Sequence, residues 1–286
     1  MILLDGKKIS SEIIEDLRLK LKSDNKGYKP GLGIILIGNR KDSLKYIEYK
    51  KKVCSKIGIK FHLIHLEETC EEENIFKVIH GLNNNPSING IIIQLPLPYG
   101  FNTEKILDMV VPEKDVDGFH QTNAGKLFLN RGLDFAPCTP LGCMRLIDHY
   151  GIDVEGLNIC VVGASNVVGL PLSMMLLQRN ATVTICNKYT KNLKEHTIES
   201  DMIFSCCGVP NIIKEDMIKG NVIIVDIGIN YVDGKLVGDV DFEGVKDKCS
   251  YITPVPGGVG PMTIAMLMVQ TVKAFNLSEE GTKNNK

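Results

Sequence analysis

The chain has 286 residues, 33 basic and 34 acidic, a formal net charge of -1 and 44% apolar residues. That length and apolar content suit two domains with separate cores, and the balanced charge argues against nucleic acid or an anionic membrane as the main partner. No uninterrupted apolar run nears the ~18 residues of a membrane span, and Asp5, Lys7 and Lys8 come too early for an export signal; nine cysteines without a Cys-x-x-Cys pair suit thiols in a reducing cytoplasm.

Ile9, Ile13, Leu17 and Leu21 form a helical stripe, and Gly33-Ile34-Ile35-Leu36-Ile37-Gly38 is a short buried strand bounded by glycines. Ser43 to Lys52 follows as a basic helix. Residues 59–66 alternate as a strand, which sends His62 and His65 to opposite faces, so no metal site is expected. Ile75, Val78, Ile79 and Leu82 mark the next helix, and Gly90-Ile91-Ile92-Ile93-Gln94-Leu95 the next strand. This βαβαβ order predicts a parallel sheet covered by helices. Gln94 falls at the carboxyl end of its strand, where open α/β sheets gather ligands, and Leu95-Pro96-Leu97-Pro98 stops the strand there.

A second series begins with the strand Asn158-Ile159-Cys160-Val161-Val162, then a turn and an apolar helix through Met174, Met175 and Leu176. Strands are predicted at Ala181–Cys186, Met202–Cys206 and Val222–Gly228. The adjacent pair Cys206-Cys207 reads as packing rather than redox chemistry. Gly/Pro-rich stretches near 112–142 and 253–261, including Pro137-Cys138-Thr139-Pro140, read as loops at inter-domain crossings. Ile264, Leu267, Met268, Thr271, Val272 and Phe275 predict a last helix, and Ser278–Lys286 reads as a disordered tail.

Three segments carry chemistry. At roughly 100° per residue, Ser43, Tyr46 and Lys50 lie within about 60° on a helical wheel, so one face presents a hydroxyl, a phenol and an amine. Lys45, Lys51 and Lys52 crowd that amine with like charge, which favours the neutral, basic form; a solvated basic face is the alternative. Lys114-Asp115-Val116-Asp117-Gly118 offers two acceptor-only carboxylates suited to paired N–H donors of a heterocycle, or else a turn with solvated acids. Finally, strand, Gly163, a polar turn, Gly169 and helix is the layout that sets backbone N–H groups against a pyrophosphate. Cys186-Asn187-Lys188 stands where a NAD site usually carries a ribose-binding acid, and a lysine suits a 2′-phosphate better than a diol.

Together these segments resemble the bifunctional methylenetetrahydrofolate dehydrogenase/cyclohydrolase family. The resemblance runs from about Ile34 to Phe275 and rests on S-x-x-Y-x-x-x-K at 43–50, Gln94-Leu95-Pro96-Leu97-Pro98, Lys114-Asp115-Val116-Asp117-Gly118 and Pro137-Cys138-Thr139-Pro140. G-x-S-x-x-V-G-x-P at 163–171, Asp226-Ile227-Gly228-Ile229-Asn230, Gly238-Asp239-Val240 and the run Thr253–Thr263 complete it.

The resemblance implies an α/β fold: an N-terminal three-layer α/β catalytic domain at 1–118, completed by a helix at 262–277, and a Rossmann-type parallel-sheet cofactor domain at 119–261. It implies that Lys50 is the catalytic acid or base, Tyr46 stacks on the aminobenzoyl ring, Gln94 bonds Lys50 and Asp117 holds the pterin. Ser43, Leu95, Pro256, Gly257 and Gly258 would complete the substrate site. Thr139, Gly163, Ala164, Ser165, Val168, Gly169, Asn187, Lys188, Cys207, Gly208 and Ile229 would bind the cofactor. NADP is expected, with NAD open because Ala164 stands where the family commonly has arginine, leaving Lys188 to supply that charge. The implied chemistry is oxidation of 5,10-methylenetetrahydrofolate followed by hydrolysis to 10-formyltetrahydrofolate, in a cytoplasmic homodimer. Loss of the dehydrogenase half, or a folate- or nucleotide-binding module without turnover, stays open. A short-chain dehydrogenase also carries Ser and Tyr-x-x-x-Lys, but there the glycine-rich turn precedes the tyrosine, whereas Gly163 follows Tyr46.

Overall fold

The computed structural model describes residues 1–23 and 29–284, with side chains through Glu280. The elements in chain order are β1 (Ile2–Leu3), α1 (Gly6–Ser23), β2 (Gly31–Ile37), α2 (Lys41–Ile57), β3 (Lys60–Leu66), α3 (Glu72–Asn84), β4 (Gly90–Ile93), α4 (Thr103–Leu107), α5 (Gln121–Leu129) and α6 (Cys138–His149). After them come β5 (Asn158–Val162), α7 (Gly169–Leu177), β6 (Thr182–Cys186), α8 (Leu193–Thr197), β7 (Met202–Ser205), β8 (Val222–Asp226), β9 (Asn230–Val232), β10 (Lys235–Val237), α9 (Phe242–Val245), β11 (Cys249–Ile252) and α10 (Val259–Asn284). They group into two compact units. One holds Glu12–Lys126, Arg131–Ala136 and Leu267–Lys286; the other holds Met1–Ser11, Leu127–Asn130 and Pro137–Met266.

In the first unit β3, β2 and β4 form a parallel sheet in that order, with Ile34 of β2 opposite Leu63 and Ile92. All of β2 is buried, as expected of a central parallel strand, and Ile35, Ile37, Ile91 and Ile93 share a core with Ile75 and Ile79 of α3 and Ile106 of α4. Parallel strands need a crossover, and α2 and α3 supply the two here. α2 ends at Gly58, whose φ of 88° puts it in the left-handed region while its N–H caps the Cys54 carbonyl.

The second unit is built on six parallel strands in the order β1-β11-β8-β7-β5-β6. β6 pairs on one side of β5 and β7 on the other, so the chain reverses its direction of travel across the sheet at β5. That reversal is the switch point at which doubly wound sheets open a crevice. Cys160, Val162, Ile203, Ile224 and Ile252 pack beneath it.

Several expectations are corrected. Pro137-Cys138-Thr139-Pro140 is not a loop but the start of α6, because proline within a first helical turn displaces no intrahelical hydrogen bond. The same applies to Pro261 in the first turn of α10, so the last helix begins before 262. It also runs past 277: Ser278 to Asn284, read as tail, continue as helix, since Leu277, Glu279 and Glu280 are good helix formers; residues 285 and 286 lie outside the described residues. β1 and the β9–β10 hairpin around Asp233-Gly234 were not foreseen. A two-residue strand carries no periodicity, and its pairing with β11 also places Met1–Ser11 in the second unit rather than the first.

Within the first unit, Gln270 of α10 holds the backbone that leads into the candidate site. Its Oε1 accepts from Ala136 N at 2.9 Å, and its Nε2 donates to Val116 O at 2.7 Å and Ala136 O at 2.8 Å. Gln270→Ala would leave three buried backbone groups without these partners. The expected loss is about 3 kcal/mol of unfolding free energy, read from the urea midpoint; a shift under about 0.5 kcal/mol would show that the backbone there holds itself.

Candidate functional sites

Lys50 lies on the inward face of α2, among Ile47, Val53 and Cys54, and is only 6% exposed. A buried ammonium or amine requires a partner. Lys50 Nζ donates to Gln94 Oε1 at 3.0 Å and sits 5.5 Å from the centroid of the Tyr46 ring. Gln94 follows β4 directly, and is held by its own backbone N–H to Ile35 O and by its Nε2 to Leu95 O, both at 2.9 Å. Its carbonyl oxygen is thereby aimed at the amine. The Leu95–Pro96 peptide is cis. Ser43 is buried on the first turn of the same helix, and Tyr46 is half-buried. The helical-wheel expectation therefore gains geometry: amine, ring and amide converge at the carboxyl end of β4.

The two carboxylates of Lys114–Gly118 have separate fates. Asp115 is buried and accepts from Phe119 N, His120 N and Asn123 Nδ2, at 3.2, 2.8 and 2.8 Å. Burial raises its carboxyl above the ordinary value despite those donors. Lys114 turns away and closes α3, its Nζ donating to Leu82 O, Asn83 O and Asn85 O. Asp115 thus shapes the loop, while Asp117, two residues on, is half-buried. Pro256, Gly257 and Gly258 belong to the second unit, where Gly257 O accepts from Lys7 N at 2.8 Å and Gly258 lies against Gly6.

In the second unit, a cavity of about 600 Å³ opens at the carboxyl ends of β5, β6 and β7. Gly163, Ala164, Ser165, Asn187, Lys188 and Cys207 line it, as do Tyr189, Thr190 and Val209, which the motif reading missed. Both glycines are required. At Gly163, φ is 121° and a Cβ would come 2.6 Å from Cys206 O; at Gly169 it would come 1.9 Å from Gly163 O. Only glycine lets α7 start this close to the turn, which is the cradle a pyrophosphate needs. Val168 N donates to Ser165 Oγ at 3.2 Å, closing the turn. Thr139, Val168, Gly169, Gly208 and Ile229 do not line this cavity; Thr139 Oγ1 lies 3.0 Å from Thr263 Oγ1. Burial pushes the Cys206 and Cys207 thiols up to about 12 and about 11, so neither is a thiolate at neutral pH.

Two buried acids underlie this cavity, Asp226 at the end of β8 and Asp239 after β10. Asp226 accepts from Gly228 N, Asp239 N and Val240 N at 3.0, 3.0 and 2.9 Å. Burial nevertheless pushes its carboxyl up to about 6. Since the folded value exceeds the unfolded one, this group favours folding below about pH 4, and that contribution is lost as pH rises through about 6.

The crevice at a sheet reversal, the glycine cradle and the 186–190 rim define a dinucleotide-binding unit, and the other unit carries a buried amine and its amide partner. The sequence matches two family models, the tetrahydrofolate dehydrogenase/cyclohydrolase catalytic domain over residues 4–117 and the NAD(P)-binding domain of the same family over 137–279. The bifunctional protein FolD of Nitratiruptor sp. is 52% identical over 96% of this chain and 98% of its own. The crystal structure of the Campylobacter jejuni FolD methylenetetrahydrofolate dehydrogenase/cyclohydrolase is 47% identical, covers 97% of this chain and 99% of its own, and superposes with a TM-score of 0.94. The Trypanosoma brucei enzyme, complexed with NADP and an inhibitor, is 32% identical over 98% of each chain, with a TM-score of 0.94. The chain belongs to the tetrahydrofolate dehydrogenase/cyclohydrolase family.

Two outcomes are expected. Gly163→Ala should weaken NADP binding at least about tenfold, because the added methyl cannot fit and the backbone angle is strained; fluorescence titration with NADPH checks this, and unchanged affinity refutes it. A carboxyl-carbon NMR titration should show a midpoint near pH 6 that disappears in Asp226→Asn; a midpoint under about pH 4.5 would mean the carboxylate is better solvated than its burial indicates.

Proposed function

We propose that this enzyme oxidises 5,10-methylenetetrahydrofolate to the 5,10-methenyl cation and hydrolyses that cation to 10-formyltetrahydrofolate. The observation that carries the reading is the buried Lys50 amine, held 3.0 Å from Gln94 Oε1 beside the Tyr46 ring, in a chain that also has an NAD(P)-binding domain. Bound NAD(P)+ supplies the hydride acceptor. The remaining work belongs to side chains of the first unit. The Tyr46 ring stacks on the flat aminobenzoyl group, and Asp117 accepts the paired N–H donors of the pterin, fixing the one-carbon bridge in one pose. In the hydrolysis, water adds to the cationic carbon and gives one proton to Lys50 Nζ, whose direction Gln94 holds. The bond to N5 then breaks as Lys50 returns that proton to N5, and the carbinol hydroxyl releases its remaining proton to solvent as it becomes the formyl carbonyl.

NADP is the preferred nucleotide in this reading. Ala164 offers no charge to a 2′-phosphate, while Lys188 lies on the rim of the same cavity with its ammonium 5.0 Å from the Tyr189 ring centroid. The active form is a cytoplasmic homodimer. Among the described residues no helix is long and apolar enough to cross a membrane, and all nine cysteines are free thiols, which suits that compartment.

Lys50→Met should lower the cyclohydrolase rate by about 10²- to 10⁴-fold, followed by loss of methenyltetrahydrofolate absorbance; hydrolysis at the wild-type rate would remove Lys50 from the reaction. Assayed with both nucleotides, the wild type should reduce NADP in preference to NAD. Lys188→Ala should raise the KM for NADP about tenfold with little change for NAD. Hydrolysis without reduction of either nucleotide would instead identify a cyclohydrolase that has lost its dehydrogenase half.

A further inference from the structure

Cys206, Cys207 and Val209 form the β7 side of the nucleotide cavity, yet this wall is a loop rather than a strand, since β7 ends at Ser205. Its backbone is held by one side chain. Asp239 Oδ2 accepts from Cys207 N at 2.8 Å, Gly208 N at 3.2 Å and Ser205 Oγ at 3.1 Å, while its Oδ1 accepts from Asn230 Nδ2 at 2.9 Å. Asp239 is fully buried, so water cannot substitute for it. The residue's own backbone is fixed in turn by Asp226, which accepts from its N–H, and its carbonyl accepts from Ile212 N at 2.8 Å; Ile212 is a further lining residue of the cavity.

The two acids are interlocked by contact as well as by hydrogen bonds. A Cβ on Gly228 would lie 2.1 Å from Asp239 Oδ1, and one on Gly238 would lie 1.8 Å from Asp226 Oδ2. Each carboxylate thus occupies the space beside a glycine in the segment that carries the other. Neither can swing away without opening a buried void and stranding several N–H donors.

We infer that Asp239 is a positioning residue for the nucleotide: it lies outside the cavity lining, but through Cys207 N and Gly208 N it sets the placement of the loop whose Cys207 and Val209 form one wall of the cavity. This rests on the reading of that cavity as the NAD(P) site. It also separates the two activities, because hydrolysis of the methenyl cation requires no nucleotide and uses Lys50 in the other unit.

That separation supplies the test. Asp239→Ala removes every acceptor at once. Asp239→Asn keeps the shape but leaves only one carbonyl oxygen, enough for the Cys207 side or the Asn230 side, and secures a folded variant if the alanine protein does not accumulate. The expected result is graded: the KM for NADP and the Kd for NADPH rise about threefold in Asp239→Asn and about tenfold in Asp239→Ala, with kcat at saturating nucleotide reduced less than twofold and the cyclohydrolase rate within about twofold of wild type. Unchanged nucleotide KM and Kd in Asp239→Asn, or a parallel fall of both activities in it, overturns the inference. A wild-type protein that fails to bind NADPH overturns the nucleotide reading itself, and is distinguished by the same titration.

Discussion

Parallel strand pairing is the constraint on which both sites depend. Two parallel neighbours cannot be joined by a tight turn, so each strand is followed by a crossover that carries the chain back, and the strand-to-helix junctions of a sheet gather along one edge. In the first unit that edge receives Gln94 at the end of β4 and, from the crossover after β2, the face of α2 bearing Tyr46 and Lys50. In the second, the ends of β5, β6 and β7 deliver Gly163, the Asn187-Lys188 pair and Cys207 to one cavity. Polar groups at such junctions need no break in the hydrophobic runs of the strands, which is why Ile91–Ile93 and Cys160–Val162 remain buried while the chemistry sits one or two residues further on.

Burying polar groups at those edges is sustained by backbone N–H donors rather than by opposite charges. Asp115, Asp226 and Asp239 are all served in this way, and each fixes a loop that flanks a candidate site. Among the described residues, the ion pairs given by side-chain geometry lie elsewhere. Lys20–Asp16, Lys194–Asp216 and Lys246–Glu243 join exposed side chains, where solvent screening leaves little net stabilisation. Carboxylates bonded to amides have directions set by the chain itself, so the loops they hold are as well defined as the strands they follow.

Much of this could be read directly from residue order. Regular elements with a buried face announce themselves by period, and the strand-turn-helix around Gly163 and the Ser43-Tyr46-Lys50 face followed from spacing alone. The misreadings share a physical cause. Proline signals a loop at 137–140 and 253–261, and residues 253–258 are one, but at Pro140 and Pro261 it lies in a first helical turn, where it costs no hydrogen bond. The pairing of β1 with β11 joins residues some 250 positions apart through two-residue contacts, which leave no local trace. Asp226 and Asp239 enter the sequence reading only as members of two motifs, with no role attached. Their role comes from what they meet across the fold, where each carboxylate lies against a glycine of the other's segment, Gly238 and Gly228.

The partner chosen for Lys50 bears on what the amine can do. A carboxylate at the position of Gln94 would stabilise the ammonium form and hold its proton, as it does in any buried pair. An amide carbonyl gives the amine direction without adding a charge, and accepts a hydrogen bond from it in either protonation state. The amide is itself committed, its Nε2 donating to Leu95 O, so it cannot rotate to offer the amine a donor instead. Cys54, buried on the same helix, is pushed by burial up to about 12 and stays neutral at physiological pH. Gln94 therefore orients Lys50 without adding a charge, and the neutral Cys54 adds none beside it. That suits the proton carrier proposed for Lys50, whose direction of transfer would be set by the substrate.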